Sequence, residues 1–101
     1  NTLIGGLAGD SITTGSSLVA VGKGALDANT TASNNTAVGT DALGANTTGS
    51  DNTGLGYAAL RDNTTASNNT AVGYFALEAN TTGSENIILP LELMLRWDFK
   101  Q

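Results

Sequence analysis

Tyr57, Tyr74, Phe75 and Arg61 are the side chains here best suited to hold a ligand. Flat rings with polar tips and a guanidinium are enriched at binding surfaces. The competing assignment for the rings is packing between neighbouring elements, the commoner fate of aromatic side chains. Catalysis finds far less support. The chain contains no cysteine and no histidine, which removes thiol nucleophiles, disulfides, imidazole-ligated metals and any Ser-His-Asp or Cys-His arrangement. No carboxylate pair, nucleophile-base couple or phosphate-cradling loop stands at a useful spacing. The acids are scattered, whereas a calcium-binding solenoid needs carboxylates that recur in register. We therefore assign no catalytic, cofactor-binding or metal-ligating residue and read the chain as a non-enzyme.

Nine acidic residues against four basic ones give a net charge of −5, which disfavours sequence-independent attraction to nucleic acid or an anionic membrane. No apolar run approaches the length needed to span a bilayer. No charged, apolar and small-residue leader opens the sequence, so membrane insertion is not expected. A start at Asn1 is expected of a processed chain or of a segment of a longer one. Among 101 residues there are one Trp, two Tyr and two Phe. So lean a core usually relies on repetition or self-association.

Repetition is plain. Cut every 17 residues, the chain reads NTLIGGLAGDSITTGSS (1–17), LVAVGKGALDANTTASN (18–34), NTAVGTDALGANTTGSD (35–51), NTGLGYAALRDNTTASN (52–68) and NTAVGYFALEANTTGSE (69–85). With the places of the unit numbered from 1 to 17, place 4 is always branched and apolar: Ile4, Val21, Val38, Leu55 and Val72. Place 5 is always glycine: Gly5, Gly22, Gly39, Gly56 and Gly73. Places 8 and 9 read Ala-Leu, and places 12 to 14 read Asn-Thr-Thr, in four of the five units. Place 15 alternates between Gly and Ala, as if the duplicating unit were two coils long. A pair of helices needs roughly 30 residues or more, and Gly, Asn, Thr and Ser are poor helix formers that suit turns and strand ends. The expected fold is all-β: a parallel β-solenoid, or β-roll, of five 17-residue coils over residues 1–85. Each coil would hold two short strands joined by tight corners.

Alternation along a strand puts places 2 and 4 on one face and places 3 and 5 on the other. The branched residue at place 4 is expected to point inward, with place 2 beside it. That leaves a face of Ala and Gly small enough to press against another backbone. The glycine at place 5 serves either a corner with positive φ or the close approach of a neighbour; the corner is preferred. Coils stacked at about 4.8 Å set like over like. Asn29, Asn46, Asn63 and Asn80 are then expected to form a ladder of side-chain amides bonded from rung to rung.

Residues 86–101, NIILPLELMLRWDFKQ, open like a sixth unit and then depart. From Leu91 apolar residues alternate with Glu92, Met94, Arg96, Asp98 and Lys100, which argues a strand; a helix beginning at Pro90 is the rival. The segment is expected to cap the open sheet edge or to tie chains together, unless it belongs to a neighbouring domain.

The string NTAVGxxAL at 35–43, with its copies at 52–60 and 69–77, resembles the head repeats of YadA-type trimeric autotransporter adhesins. It looks equally like the Asn-Thr-rich repeats of bacteriophage tail fibres. The resemblance covers residues 1–85, although the adhesin unit is usually shorter and the Asn-Thr-Thr segment looks like an enlarged corner. It implies a homotrimer packed around a threefold axis, with the Ala/Gly face as the interface. It also implies an extracellular place, on a cell surface or virion, and a structural or adhesive task with a host receptor or glycan as partner. The variable places would present Tyr57, Tyr74, Phe75 and Arg61 to that surface. The alternative from another class is an ice-binding solenoid, suggested by the rank Thr13, Thr30, Thr47, Thr64 and Thr81.

Overall fold

A computed structural model describes residues 1–90. Six strands follow in chain order: β1 (Thr2–Ile4), β2 (Val19–Val21), β3 (Thr36–Val38), β4 (Thr53–Leu55), β5 (Thr70–Val72) and β6 (Ile87–Ile88). They form one parallel sheet in the order β1-β2-β3-β4-β5-β6. Each pairing is offset by one repeat, as in Thr36↔Thr53, Ala37↔Gly54 and Val38↔Leu55. The chain is thus a β-solenoid in which every circuit of the backbone lays one strand beside its predecessor.

One strand per coil, rather than two, is found among the described residues. Places 5 to 12 make the opposite wall from consecutive turns instead. In the third coil the Ala42, Gly44 and Asn46 N–H groups donate to the Gly39, Asp41 and Leu43 carbonyls at 3.2, 3.0 and 3.1 Å. The alternate N–H groups of Leu43 and Ala45 reach the next coil, at Ala59 O and Arg61 O, both at 2.9 Å. Turns replace a strand because places 7 and 9 are left-handed: φ is 58° at Asp41 and 52° at Leu43, with matching values one coil on at Ala58 (57°) and Leu60 (54°). Such a conformation costs roughly 1–2 kcal/mol per L-residue. Burial of the place-9 leucine offsets it, since Leu26, Leu43 and Leu60 are all fully buried.

The expected facing of the strands is reversed. Place 3 points inward: Ala20, Ala37 and Ala71 have no exposed surface. Places 2 and 4 point outward, with Val38 39% exposed and Val21, Leu55 and Val72 half-buried. The interior is a slot between the strand and the turn wall, already occupied by Leu26, Leu43 and Leu60 with Ala25, Ala42 and Ala59. A methyl added at Gly54 would stand 3.1 Å from Ala59 O and 3.5 Å from Leu43 Cγ. A valine does not fit there. Small residues do mark close approach to a backbone, but the backbone is the far wall of the same coil and not another chain. The Ala/Gly face is therefore core and is excluded as an interface.

Place 5 combines both readings of its glycine. At Gly39 φ is +135°, and an added Cβ would collide with the carbonyl oxygen of Gly56 and stand 2.6 Å from its carbon. The corner turns and the coils touch at the same atom.

Coil 1 fills its interior differently. Leu3 replaces the usual small residue of place 3, while Gly9 replaces the leucine of place 9. A Cβ on Gly9 would lie 2.9 Å from Leu3 Cδ2, so the two substitutions exchange volume across the slot. Ile12 packs against the same core. At the other end, Thr70↔Ile87 and Ala71↔Ile88 continue the register into a sixth coil. The alternating segment 91–101, on which the strand or helix expectation falls, lies outside the described residues.

Candidate binding surface

Three ladders of polar side chains hold the coils in strict register. In the first, Asn46, Asn63 and Asn80 each donate from Nδ2 to the Oδ1 of the ladder asparagine one coil before, Asn29, Asn46 and Asn63, at 3.0, 3.0 and 2.8 Å. A second Nδ2 bond closes the corner within the coil, as from Asn46 to Gly49 O at 2.9 Å. Place 1 carries another ladder that the sequence reading overlooked. The backbone N–H groups of Asn52, Asn69 and Asn86 donate to Asn35, Asn52 and Asn69 Oδ1, each at 2.9 Å. Its signal was available in the recurrent Asn that opens the units. Place 16 is always serine, and the Ser16, Ser33, Ser50 and Ser67 N–H groups donate to the serine hydroxyl of the next coil. No buried polar side-chain atom among the described residues lacks a partner.

The threonines of place 13 are tied into the same scaffold. Thr13 and Thr47 hydroxyls donate to Thr30 O and Thr64 O, both at 3.1 Å. These hydroxyls serve the coil stack. Asn29, which with Thr30 and Thr31 matches the N-x-T pattern for glycosylation, is fully buried with its amide engaged.

Against this fixed frame, places 6, 7 and 10 vary, and in the fourth and fifth coils they share one flank of the solenoid. Here the structure brings Tyr57, Tyr74, Phe75 and Arg61 together. Tyr57 and Tyr74 share place 6 of successive coils, so their rings stack at 5.4 Å with 19° between planes. Phe75, at place 7 of the fifth coil, meets Tyr74 edge-on at 4.4 Å and Tyr57 at 5.4 Å. The Arg61 guanidinium lies 5.7 Å from the Phe75 ring centre, within cation-π range.

Two acids absent from the expected set complete the cluster. Arg61 Nη2 is 2.8 Å from Glu78 Oε2, and Arg61 Nε is 3.2 Å from Asp62 Oδ1. Glu78 occupies place 10 directly after Arg61, so stacking in register makes the pair, and the column alone could have revealed it. The hydrogen bond to Asp62, followed by the charge of Glu78, raises the Arg61 pKa. Both pairs are substantially exposed, so they orient the guanidinium more than they stabilise the fold. Tyr74 remains 76% exposed and Tyr57 46%. The patch is a ridge of ring surface and phenolic hydroxyls beside a fixed charge network. Its groups can make stacking contacts and hydrogen bonds, and no nucleophile with a base stands among them.

Among the described residues, no group of three or more His, Cys, Asp or Glu side chains is placed to hold a metal ion. No family model, curated protein or solved structure matches the chain.

Proposed function

We propose that the chain is a structural and adhesive module, a segment of an extracellular fibre such as a trimeric phage tail fibre or a bacterial surface adhesin head. Three chains associate through the outward face of the sheet. The observation that carries this reading is the composition of that face. Places 2 and 4 present Thr2, Val19, Thr36, Thr53 and Thr70 beside Ile4, Val21, Val38, Leu55 and Val72, without one charge. Ile4 is 59% exposed and Val38 39%. A continuous uncharged, aliphatic-rich strip of this kind marks an interaction surface in a soluble protein. Since every coil repeats it, an array of any length would extend the same seam along a shaft.

Sedimentation equilibrium tests the reading. A mass three times that of the 10.2 kDa chain is expected, and Val38→Lys, which places a charge at the middle of the strip, should return it to the single-chain mass with its circular dichroism unchanged. A wild-type protein that stays at 10.2 kDa would refute it.

A second reading, ice binding, draws on the same face, where a threonine-rich rank runs beside an aliphatic rank in a regular parallel array. Thermal hysteresis of the wild-type protein, lost in Val38→Lys, would favour it over the fibre.

A further inference from the structure

We infer that the flank formed by Tyr57, Tyr74, Phe75, Arg61 and Glu78 is a binding site for a neutral carbohydrate. The inference rests on the adhesive part of the reading above and adds the place and chemical class of what is bound.

The scaffold does not require these residues. At places 6 and 7 the same backbone accommodates Gly6-Leu7, Lys23-Gly24, Thr40-Asp41, Tyr57-Ala58 and Tyr74-Phe75. Among the described residues the rings lie in two adjoining coils, and the most prominent of them contributes little to the core, being 76% exposed. Phe75 also adopts φ 56°, a conformation unfavourable for a bulky L-residue. The same place is filled by Gly24 and Ala58 in two other coils, so a ring is not needed there.

The arrangement selects the class of ligand. Tyr57, Tyr74 and Phe75 pack on one another at 4.4 to 5.4 Å, so they enclose no cage for a cation. The charges nearby are one guanidinium against Asp62 and Glu78, with Asp41 also within electrostatic reach of Arg61. This acidic balance disfavours phosphate, sulfate or a sialylated sugar. What remains is a ligand with a flat apolar face to lie on an exposed ring and hydroxyls along its edge. A neutral pyranose has both. Its C–H face meets the Tyr74 ring, while its hydroxyls donate to Glu78 or Asp62 and accept from the remaining N–H groups of Arg61 or from a phenol. The Arg61 pairs at 2.8 and 3.2 Å hold those groups in place before a sugar arrives, which lowers the entropy lost on binding. A protein partner would also accept rings, but would leave the paired charges at the rim without a defined role.

The test is a nuclear magnetic resonance titration of the wild-type protein with maltohexaose, cellohexaose and β-1,4-galactotetraose, with sialyllactose as the anionic comparison. At least one neutral oligosaccharide should shift the signals of Tyr57, Tyr74 and Phe75, while those of the Asn ladder stay fixed. Tyr74→Ala should weaken that binding by about tenfold or more, as expected for loss of one stacking surface. Glu78→Gln should weaken it less, and its retained fold would show that lost hydrogen bonding to hydroxyls is responsible. Absence of shifts with all three neutral sugars would overturn the inference. So would equal binding of sialyllactose, or undiminished binding by a folded Tyr74→Ala protein. Sedimentation and titration read separate properties: a single-chain species that binds maltohexaose would refute the trimer and keep this site, and a trimer blind to all sugars would do the reverse.

Discussion

Asn46→Ala removes the central rung of the asparagine ladder, and its cost can be worked from the bonds. The side chain is fully buried. It donates to Asn29 Oδ1 at 3.0 Å and to Gly49 O at 2.9 Å, and it accepts from Asn63 Nδ2 at 3.0 Å. Two of the three abandoned partners keep another bond, because Asn35 Nδ2 still reaches Asn29 Oδ1 at 3.3 Å and Gly49 O at 2.8 Å. The third does not. Asn63 Nδ2 retains Ala66 O at 3.0 Å, but its second proton is left in a dry interior. A buried donor without an acceptor costs about 1–3 kcal/mol, and each of the two other lost bonds about 1 kcal/mol net, so a loss of about 3–5 kcal/mol is expected. That is a large part of the roughly 5–15 kcal/mol available to a domain, and would lower the melting temperature by about 15 °C or more. Asn80→Ala provides the comparison. Asn80 donates to Asn63 Oδ1 and Gly83 O but lies in a more exposed coil, and its loss orphans no buried donor. About 1–2 kcal/mol is expected there. Urea unfolding followed by circular dichroism, at one protein concentration, measures both. Equal losses in the two variants, or a loss below about 1 kcal/mol for Asn46→Ala, would refute the claim that buried amides hold the coils together.

Gly39→Ala should be more damaging than its single methyl suggests, since the added carbon meets the Gly56 carbonyl at φ +135°. A loss above about 3 kcal/mol, or failure to give the β-type spectrum, is expected. Gly6→Ala, where nothing lies within 4 Å, should change stability by no more than about 0.5 kcal/mol. Ile12→Asn and Leu18→Asn should each cost about 2 kcal/mol alone, whereas the double variant should regain at least about 1 kcal/mol of the sum in a double-mutant cycle. Ser17→Gly, at an exposed residue with φ 57°, should raise stability by about 0.5–1 kcal/mol in the same urea assay.

The solenoid, its 17-residue pitch and the parallel register were legible because a side chain stacked on its own copy must satisfy the same neighbours in every coil. Column identity therefore reports environment directly. Which face is inside was not legible from the strand alone. Alternation assigns TAV or VAV to two faces but gives no sign, and the usual preference for burying the larger residue points to the wrong face. The deciding quantity is the width of the slot, set by Leu26, Leu43 and Leu60 on the opposite wall. Those leucines were visible at place 9, but their inward direction depends on left-handed φ values of 52 to 54°. Nothing in the residue type leucine signals such a conformation. The turn wall reads as a second strand in the sequence for the same reason.

The exceptions in the columns carry as much information as the rule. Asn35 at place 1 donates to Asn29 at place 12 of the preceding coil, at 3.3 Å; the corresponding pair one coil earlier is Leu18 and Ile12. Both amides are replaced together by aliphatic side chains, and Leu18 is 1% exposed. Replacing one partner would leave a buried amide facing hydrocarbon, while replacing both exchanges a polar contact for an apolar one of similar size. The ladder is thus one of two self-consistent solutions to packing a corner, and a mixed pair is neither. Variation around place 6 is different in kind, since Lys23, Tyr57 and Tyr74 are all exposed, and the groups that meet the rings, Arg61 and Glu78 among them, lie outside the core. Change that must be matched inside the core identifies the scaffold, and change matched only among exposed groups identifies the surface. By that criterion the aromatic flank belongs to what the solenoid presents rather than to what holds it up.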